Sequence, residues 1–313
     1  MDILFAGELN ADLIMTGFEK IPSLGIETIG KNYQFCMGSS TAICACVASS
    51  LGLKTGFFGK LGLDLFGQLI INSLHKYGID TSLIQTSKEW LTGLTVSISL
   101  KQDRALATVF GDTIDCFDAT EVPLEKSNSR HLHVSSYFFQ PKVRIKLPQL
   151  YKKAKALGMT TSLDAGWDEK ERWQEGLSEI LPVTDFFFPN ENEACAIANT
   201  GSTEEAARII ADMGCNVIVK NGDKGCILCE KGSSSPIVIS SFPVPKVIDT
   251  TGAGDSFNGG FLYAFLHHLP LEECAVYGNA AGAISVTRIG GATQCPTLEE
   301  VENLISTGLI QNY

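Results

Sequence analysis

The chain has 313 residues, 44% of them apolar and 19% charged, with 30 glycines and 11 prolines. That is enough for one large buried core or two modest ones, and it excludes collagenous and disordered classes. Lysine and arginine total 24 against 35 aspartates and glutamates, a net charge of −11, which argues against nucleic acid or an anionic membrane surface as a partner.

In chain order, the stretch Met1–Gly7 carries no basic leader and too short an apolar run for a signal peptide. No stretch approaches the roughly 20 apolar residues of a membrane span. A cytoplasmic protein is expected, with its ten cysteines as buried, reduced thiols. Ile3–Ala6 reads as a strand, and Ser39–Leu51 and Leu65–Tyr77 as helices. His131–Ser135 is a strand, Val143–Leu157 a helix, and Thr160–Leu163 and Asp185–Phe188 are strands. Thr203–Met213 is helical, Val217–Lys220 extended, and Gly254–His267 and Leu271–Thr287 are helical. Strand followed by helix, repeated this often, predicts a parallel sheet covered on both faces, with ligands beyond the carboxyl ends of its strands.

Two regions, Gly17–Gln34 and Thr92–Cys116, break the rhythm. The second contains Thr95–Leu100 and Leu106–Phe110 around the polar turn Gln102-Asp103-Arg104, the pattern of a hairpin. Whether it belongs to a small projecting sheet or to the edge of the main one is left open by the pattern. Cys226 and Cys229 form the one C-x-x-C; with no second pair and no nearby histidine, no metal or redox role is expected. The pairs His131/His133 and His267/His268 read as structural.

The most informative segment is Asp249-Thr-Thr-Gly-Ala-Gly-Asp255-Ser-Phe-Asn-Gly-Gly-Phe261. Phe257, Phe261 and Phe265 recur every four residues, so a helix beginning near Gly254 buries that face. Small residues before a helix N-terminus let backbone N–H groups approach an anion, and the helix end adds partial positive charge. Asp255, in the first turn, is stabilised as a carboxylate able to accept a proton. Taken alone, it equally fits a helix stabiliser. That reading leaves Gly259 and Gly260 unexplained, since interior helix glycines cost about 1 kcal/mol each relative to alanine.

This segment resembles the C-terminal signature of the ribokinase-like carbohydrate kinases, the PfkB family. A second stretch is similar to the family's N-terminal signature: Gly38-Ser-Ser-Thr-Ala, then Gly56-x2-Gly59-Lys-Leu-Gly62-x-Asp64-x2-Gly67. The opening Gly7-Glu-Leu-Asn-Ala-Asp12 fits the family's first strand, and the resemblance covers essentially the whole chain. It implies a ribokinase-like three-layer αβα fold, with a mostly parallel central sheet and a small antiparallel β lid. Residues 1–313 would form one domain, with lid segments at about 12–37 and 92–116. It also implies an ATP-dependent sugar kinase in which Gly252, Ala253 and Gly254 form an anion hole and Asp255 is the general base.

Further roles follow from the same resemblance. Asn10, Asp12, Gly38 and Ser39 would hold the sugar. Asn190, Lys220, Gly222, Gly225 and Asn279 would border the nucleotide, and Asn190 with Glu193 would organise Mg2+, largely through water. A monovalent cation, K+, would sit beside Asp249 and Thr251, with Ser285, Arg288 and Gly290 near its other side. Pairing of lid sheets would make a homodimer. Two departures bear on the substrate: Ile43 stands where ribokinases usually carry asparagine, and Asp164-Ala-Gly-Trp167 stands for an Asp-Pro-Asn-type element. Arg104 could reach an anionic or polyhydroxyl acceptor from the hairpin, but an exposed turn arginine fits it better. The acceptor is expected to be fructose- or ribose-like or a keto-deoxy sugar acid. A nucleoside kinase of the same fold and a non-catalytic sugar- or nucleotide-binding relative are the alternatives. No G-x-G-x-x-G follows the first strand and no P-loop exists, which argues against a dinucleotide oxidoreductase and a P-loop ATPase.

Overall fold

A computed structural model describes residues 1–100, 104–116 and 118–310; Gln102, Asp103 and the side chain of Arg104 lie outside the described residues. The first half contains strands β1 (Ile3–Ala6), β2 (Asn10–Thr16), β3 (Asn32–Met37), β4 (Thr55–Phe58), β5 (Lys60–Gly62), β6 (Gln85–Ser87), β7 (Thr92–Ser99), β8 (Arg104–Gly111) and β9 (His131–Val134). Then follow β10 (Thr160–Leu163), β11 (Phe186–Phe187), β12 (Asn216–Lys220), β13 (Cys226–Cys229) and β14 (Ile237–Ile239). The helices are α1 (Ser40–Ser50), α2 (Leu65–Lys76), α3 (Thr113–Cys116), α4 (Leu124–Ser127), α5 (Pro141–Ala156) and α6 (Leu177–Ile180). After them come α7 (Glu191–Ala198), α8 (Thr203–Ala211), α9 (Ala253–Leu266), α10 (Leu271–Ser285) and α11 (Leu298–Thr307).

Eight strands form one sheet in the order β14-β13-β12-β11-β10-β9-β1-β4. The six from β12 to β4 run parallel, and β13 and β14 add an antiparallel edge. Most of its strands are buried along their length because both faces are covered. Period-2 alternation sends Ile3 and Phe5 into the core under α1, α2, α9, α10 and α11, and Leu4 into the core under α5, α6, α7 and α8. The same alternation puts Cys226 and Cys229 in opposite cores, so the C-x-x-C spacing brings no two thiols together. The chain passes from β1 to β4 on one side and later to β9 on the other. The strand order therefore reverses between β1 and β9, where such sheets open a crevice at their carboxyl ends.

Strands β3-β2-β7-β8 form a separate sheet, so the hairpin of β7 and β8 pairs with β2 and not with the main sheet's edge. Its outer pairs are antiparallel while the central pair, β2 with β7, is parallel. Both central strands leave the main body in the same direction, and β3 and β8 carry the chain back.

His131 and His133 on β9 are fully buried and hydrogen-bonded in series. Thr160, His131, Ser162, His133 and Ser135 are linked at 2.7–2.8 Å. Burial pushes both imidazoles down, His133 to about 3, so they tie β9 to β10 as neutral groups. No helix among the described residues is long and apolar enough to cross a membrane.

Candidate active site

Helix α9 begins at Gly252, whose φ of 74° suits glycine and which offers no side-chain cap. By contrast α1, α2, α7, α8 and α11 each start on a side-chain oxygen that accepts a backbone N–H. The Gly252 turn is also tight: a Cβ there would fall 2.7 Å from Gly291 Cα and 3.1 Å from Ile43 Cγ2. Asp255, one turn in, is partly buried. Burial first, and then the charge of Asp164, push its carboxyl up to about 7, against Lys220 and a hydrogen bond from Ser40. A carboxyl poised there is suited to taking a proton at neutral pH.

Beneath it lies a buried ionic cluster. Lys220 Nζ is 2.5 Å from Asp164 Oδ2, and Asn258 Nδ2 donates to the same oxygen at 2.8 Å. Burial alone would raise Asp164, but the Lys220 charge and these hydrogen bonds outweigh it and hold the carboxyl below its usual range. Lys220 in turn is held in its charged form by Asp164 and Glu193 despite burial. Its ammonium faces the turn at the start of α9, since a Cβ on Gly254 would come within 3.2 Å of Nζ.

Asn10, Asp12, Gly38 and Ser39 converge where the small sheet meets α1. Asn10 Nδ2 donates to Asp12 Oδ1 at 3.0 Å and to Thr95 Oγ1 at 3.2 Å, and Thr95 and Thr108 hydroxyls are 3.0 Å apart. Gly38 is a close-approach glycine: a Cβ would lie 2.2 Å from Asp12 Oδ1. Ser39 caps α1 through Ala42 N–H and donates its hydroxyl to the Glu8 carbonyl at 2.6 Å. The charge of Asp12 is felt at Asp255, so this cradle and the α9 turn face one site.

The remaining residues spread outward. Asn190 and Glu193 form a reciprocal capping box at the start of α7, with both hydrogen bonds at 2.9 Å. Burial and Asp164 push Glu193 up to about 7. The Lys220 N–H donates to Pro189 O at 2.9 Å, which brings this cap beside the end of β12. Gly222 lies in the turn after β12, and Gly225 immediately precedes β13, close against the end of β14. Asn279 is buried on α10, and its amide donates to Ile239 O and Ser240 O, so it shapes that wall from beneath. Asp249 accepts from Thr251 through N–H and hydroxyl, and from Gly290 N–H at 2.9 Å, joining the two loops behind the α9 turn. Ile43 is buried where those loops meet.

A family model described as "pfkB family carbohydrate kinase" matches residues 2–298. The chain belongs to the PfkB family of carbohydrate kinases. Among curated PfkB-like relatives, ribokinase of Haemophilus influenzae is 30% identical over 302 residues, covering 94% of this chain and 95% of its own length. The 2-dehydro-3-deoxygluconokinase of Bacillus subtilis is 26% identical, with 84% of each chain covered. Arabidopsis thaliana ribokinase, solved with ribose and ATP, superposes with a TM-score of 0.84 at 26% identity, covering 97% and 98% of the two chains. The Methanocaldococcus jannaschii nucleoside kinase shares the fold, with a TM-score of 0.80 at 24% identity and 97% and 98% coverage.

Several residues of this PfkB chain's site carry no signal in the sequence. Asp164 stood out only as a departure from a motif, yet it anchors Lys220. Asn258 and Thr95 are ordinary polar residues whose partners Asp164 and Asn10 lie 94 and 85 residues away, and Thr108 joins them only through Thr95. Glu8 sits beside the more conspicuous Asn10 and Asp12, and its burial belongs to the folded chain alone.

Proposed function

We propose that this PfkB-family chain transfers the γ-phosphoryl group of ATP to a primary hydroxyl of a small sugar. Asp255 is the general base, and the Gly252-Ala253-Gly254 turn is the anion hole. The observation that carries this is the position of Asp255, in the first turn of a helix with no side-chain cap and facing the Asn10, Asp12 and Gly38 cradle. In that arrangement Asp12 accepts hydrogen bonds from acceptor hydroxyls, and Asp255 takes the proton of the attacking one. The turn's N–H groups and Lys220 meet the charge on the transferred group. Phosphoryl transfer needs little more than such positioning and charge stabilisation.

Mg2+ keeps several waters and uses one or two carboxylates, so the Asn190–Glu193 corner beside Lys220 is chemically sufficient to organise it. When bound, the metal neutralises phosphate charge. Backbone carbonyls beside Asp249 and Thr251 would take K+, and Gly222, Gly225 and Asn279 would border the base of ATP.

Asp255 and Glu193 act on one lysine already paired with Asp164, and Asp12 adds a further carboxyl at the cradle, which favours a neutral acceptor over a keto-deoxy sugar acid. Buried Ile43 offers no hydrogen bond, which disfavours ribose; a fructose-like sugar fits best. One observation favours a nucleoside instead. Phe110 lies level with Asn10 across Gly93, and its ring is 5.4 Å from that of Phe139, an aromatic wall able to take a flat base. Coupled ADP release with ATP, Mg2+ and a panel of fructose, ribose, 2-keto-3-deoxygluconate, adenosine and inosine separates these. Turnover with fructose is expected, and turnover with nucleosides alone would replace the sugar reading.

The exposed Tyr33, Leu106 and Val109 on the small sheet support a homodimer formed through it. Light scattering is expected to give twice the 33.7 kDa chain mass, and a single-chain mass refutes the pairing.

A further inference from the structure

Glu8 is the least explained polar residue of the crevice. It follows β1, at the point where the strand order reverses between β1 and β9, and its residue is 7% exposed. It makes no ion pair among the described residues, and its Oε2 atom is buried without a hydrogen-bond partner there. A buried polar oxygen left unpaired costs free energy. A role in stability therefore does not account for it.

The surroundings of Glu8 are unusual in a second, independent way. The hydroxyls of Ser39 and Ser136 flank the carboxyl, and both serines are held in the left-handed region, at φ 72° and 55°. Non-glycine residues there store strain, and such residues cluster at functional sites. Ser39 borders Gly38 of the acceptor cradle, and Ser136 follows β9 on the other side of the crevice. Asp255 is near enough for its charge to act on Glu8. The carboxyl thus lies among the acceptor cradle, the end of β9 and the proposed base.

We propose that Glu8 is an acceptor-binding residue, whose unpaired Oε2 makes a hydrogen bond to an oxygen of the neutral sugar beside the hydroxyl that Asp255 deprotonates. This rests on the sugar-kinase reading given above. Burial, reinforced by the Asp255 charge and opposed by the two serines, pushes Glu8 up to about 8, so at neutral pH it is a carboxylic acid and donates its proton. A donor of this kind selects polyhydroxylated, uncharged acceptors, and a glutamine can replace it.

The test compares wild type with Glu8→Gln and Glu8→Leu, using fructose and ATP as varied substrates alongside thermal melts. Glu8→Leu is expected to raise the fructose KM by about tenfold or more, because a site that hydrogen-bonds a substrate group discriminates strongly. The ATP KM should stay unchanged, and the melting temperature should hold or rise, since an unpaired buried oxygen has been removed. Glu8→Gln is expected to stay within about threefold of wild type, its amide supplying the same donor. If Glu8→Leu fails to fold, Glu8→Asp serves: withdrawing the acid by one methylene raises the fructose KM and leaves the ATP KM alone. An unchanged fructose KM in both Glu8→Leu and Glu8→Asp, equal shifts in the two KM values, or damage in Glu8→Gln equal to that in Glu8→Leu overturns the assignment while leaving the kinase reading intact. A wild-type protein inactive with every sugar overturns both.

Discussion

At the residue scale, the proposed chemistry turns on the ionisation of Asp255. Burial and Asp164 raise its carboxyl to about 7, so the proposed base loses its proton only as pH climbs through that value. We expect kcat/KM for the sugar to fall progressively as pH drops from 8 to 5.5, following one protonation near 7. An aspartate at its ordinary value near 3.9 would leave this range flat, and a flat profile would contradict the base assignment. The same shift has a cost to the fold. A carboxyl raised on folding adds stability below its ordinary value, and that stability is lost as pH rises through about 7. Asp255 was legible in the sequence because a helical phenylalanine repeat fixed the helix start and small residues preceded it. Glu8 and Asp164 were not, because burial and convergence of separate segments, rather than neighbouring residues, give them their character.

At the element scale, α9 is clasped between α1 and α10. Its interior glycines are explained by that packing. A Cβ on Gly259 would lie 2.8 Å from Val47 Cβ and 3.0 Å from Cys44 O, and one on Gly260 would lie 2.6 Å from Tyr277 O. Gly259→Ala should therefore lower stability by roughly 1–3 kcal/mol, the usual cost of overpacking, even though alanine is the better helix former. A raised melting temperature would refute the clasp. The long helices and the parallel strands were readable from their apolar periods. The small sheet was readable as a separate antiparallel lid built from two irregular regions, but not in its pairing. Its parallel centre depends on β2 and β7, some 80 residues apart, and no local pattern encodes a pairing of that range. Helix α11 went unread although it opens on a capping box.

At the scale of the whole molecule, a chain of net charge −11 would handle polyphosphate without a basic surface. At the candidate site the positive character comes from one helix end and from Lys220, which Asp164 holds in place. The parallel sheet supplies the geometry: its order reverses beside β1, and the small sheet delivers Asn10 and Asp12 to that crevice. The central claim is that Asp255 performs the proton transfer in an otherwise assembled phosphoryl-transfer site. The most direct test follows phosphate from γ-labelled ATP to fructose in wild type and in Asp255→Asn, with ATP binding measured in both. The expected result is labelled sugar phosphate from wild type and a loss of about 10²–10⁴-fold in turnover for the variant, the usual contribution of a positioned base, with ATP binding retained. An Asp255→Asn protein that labels the sugar at the wild-type rate would contradict the account.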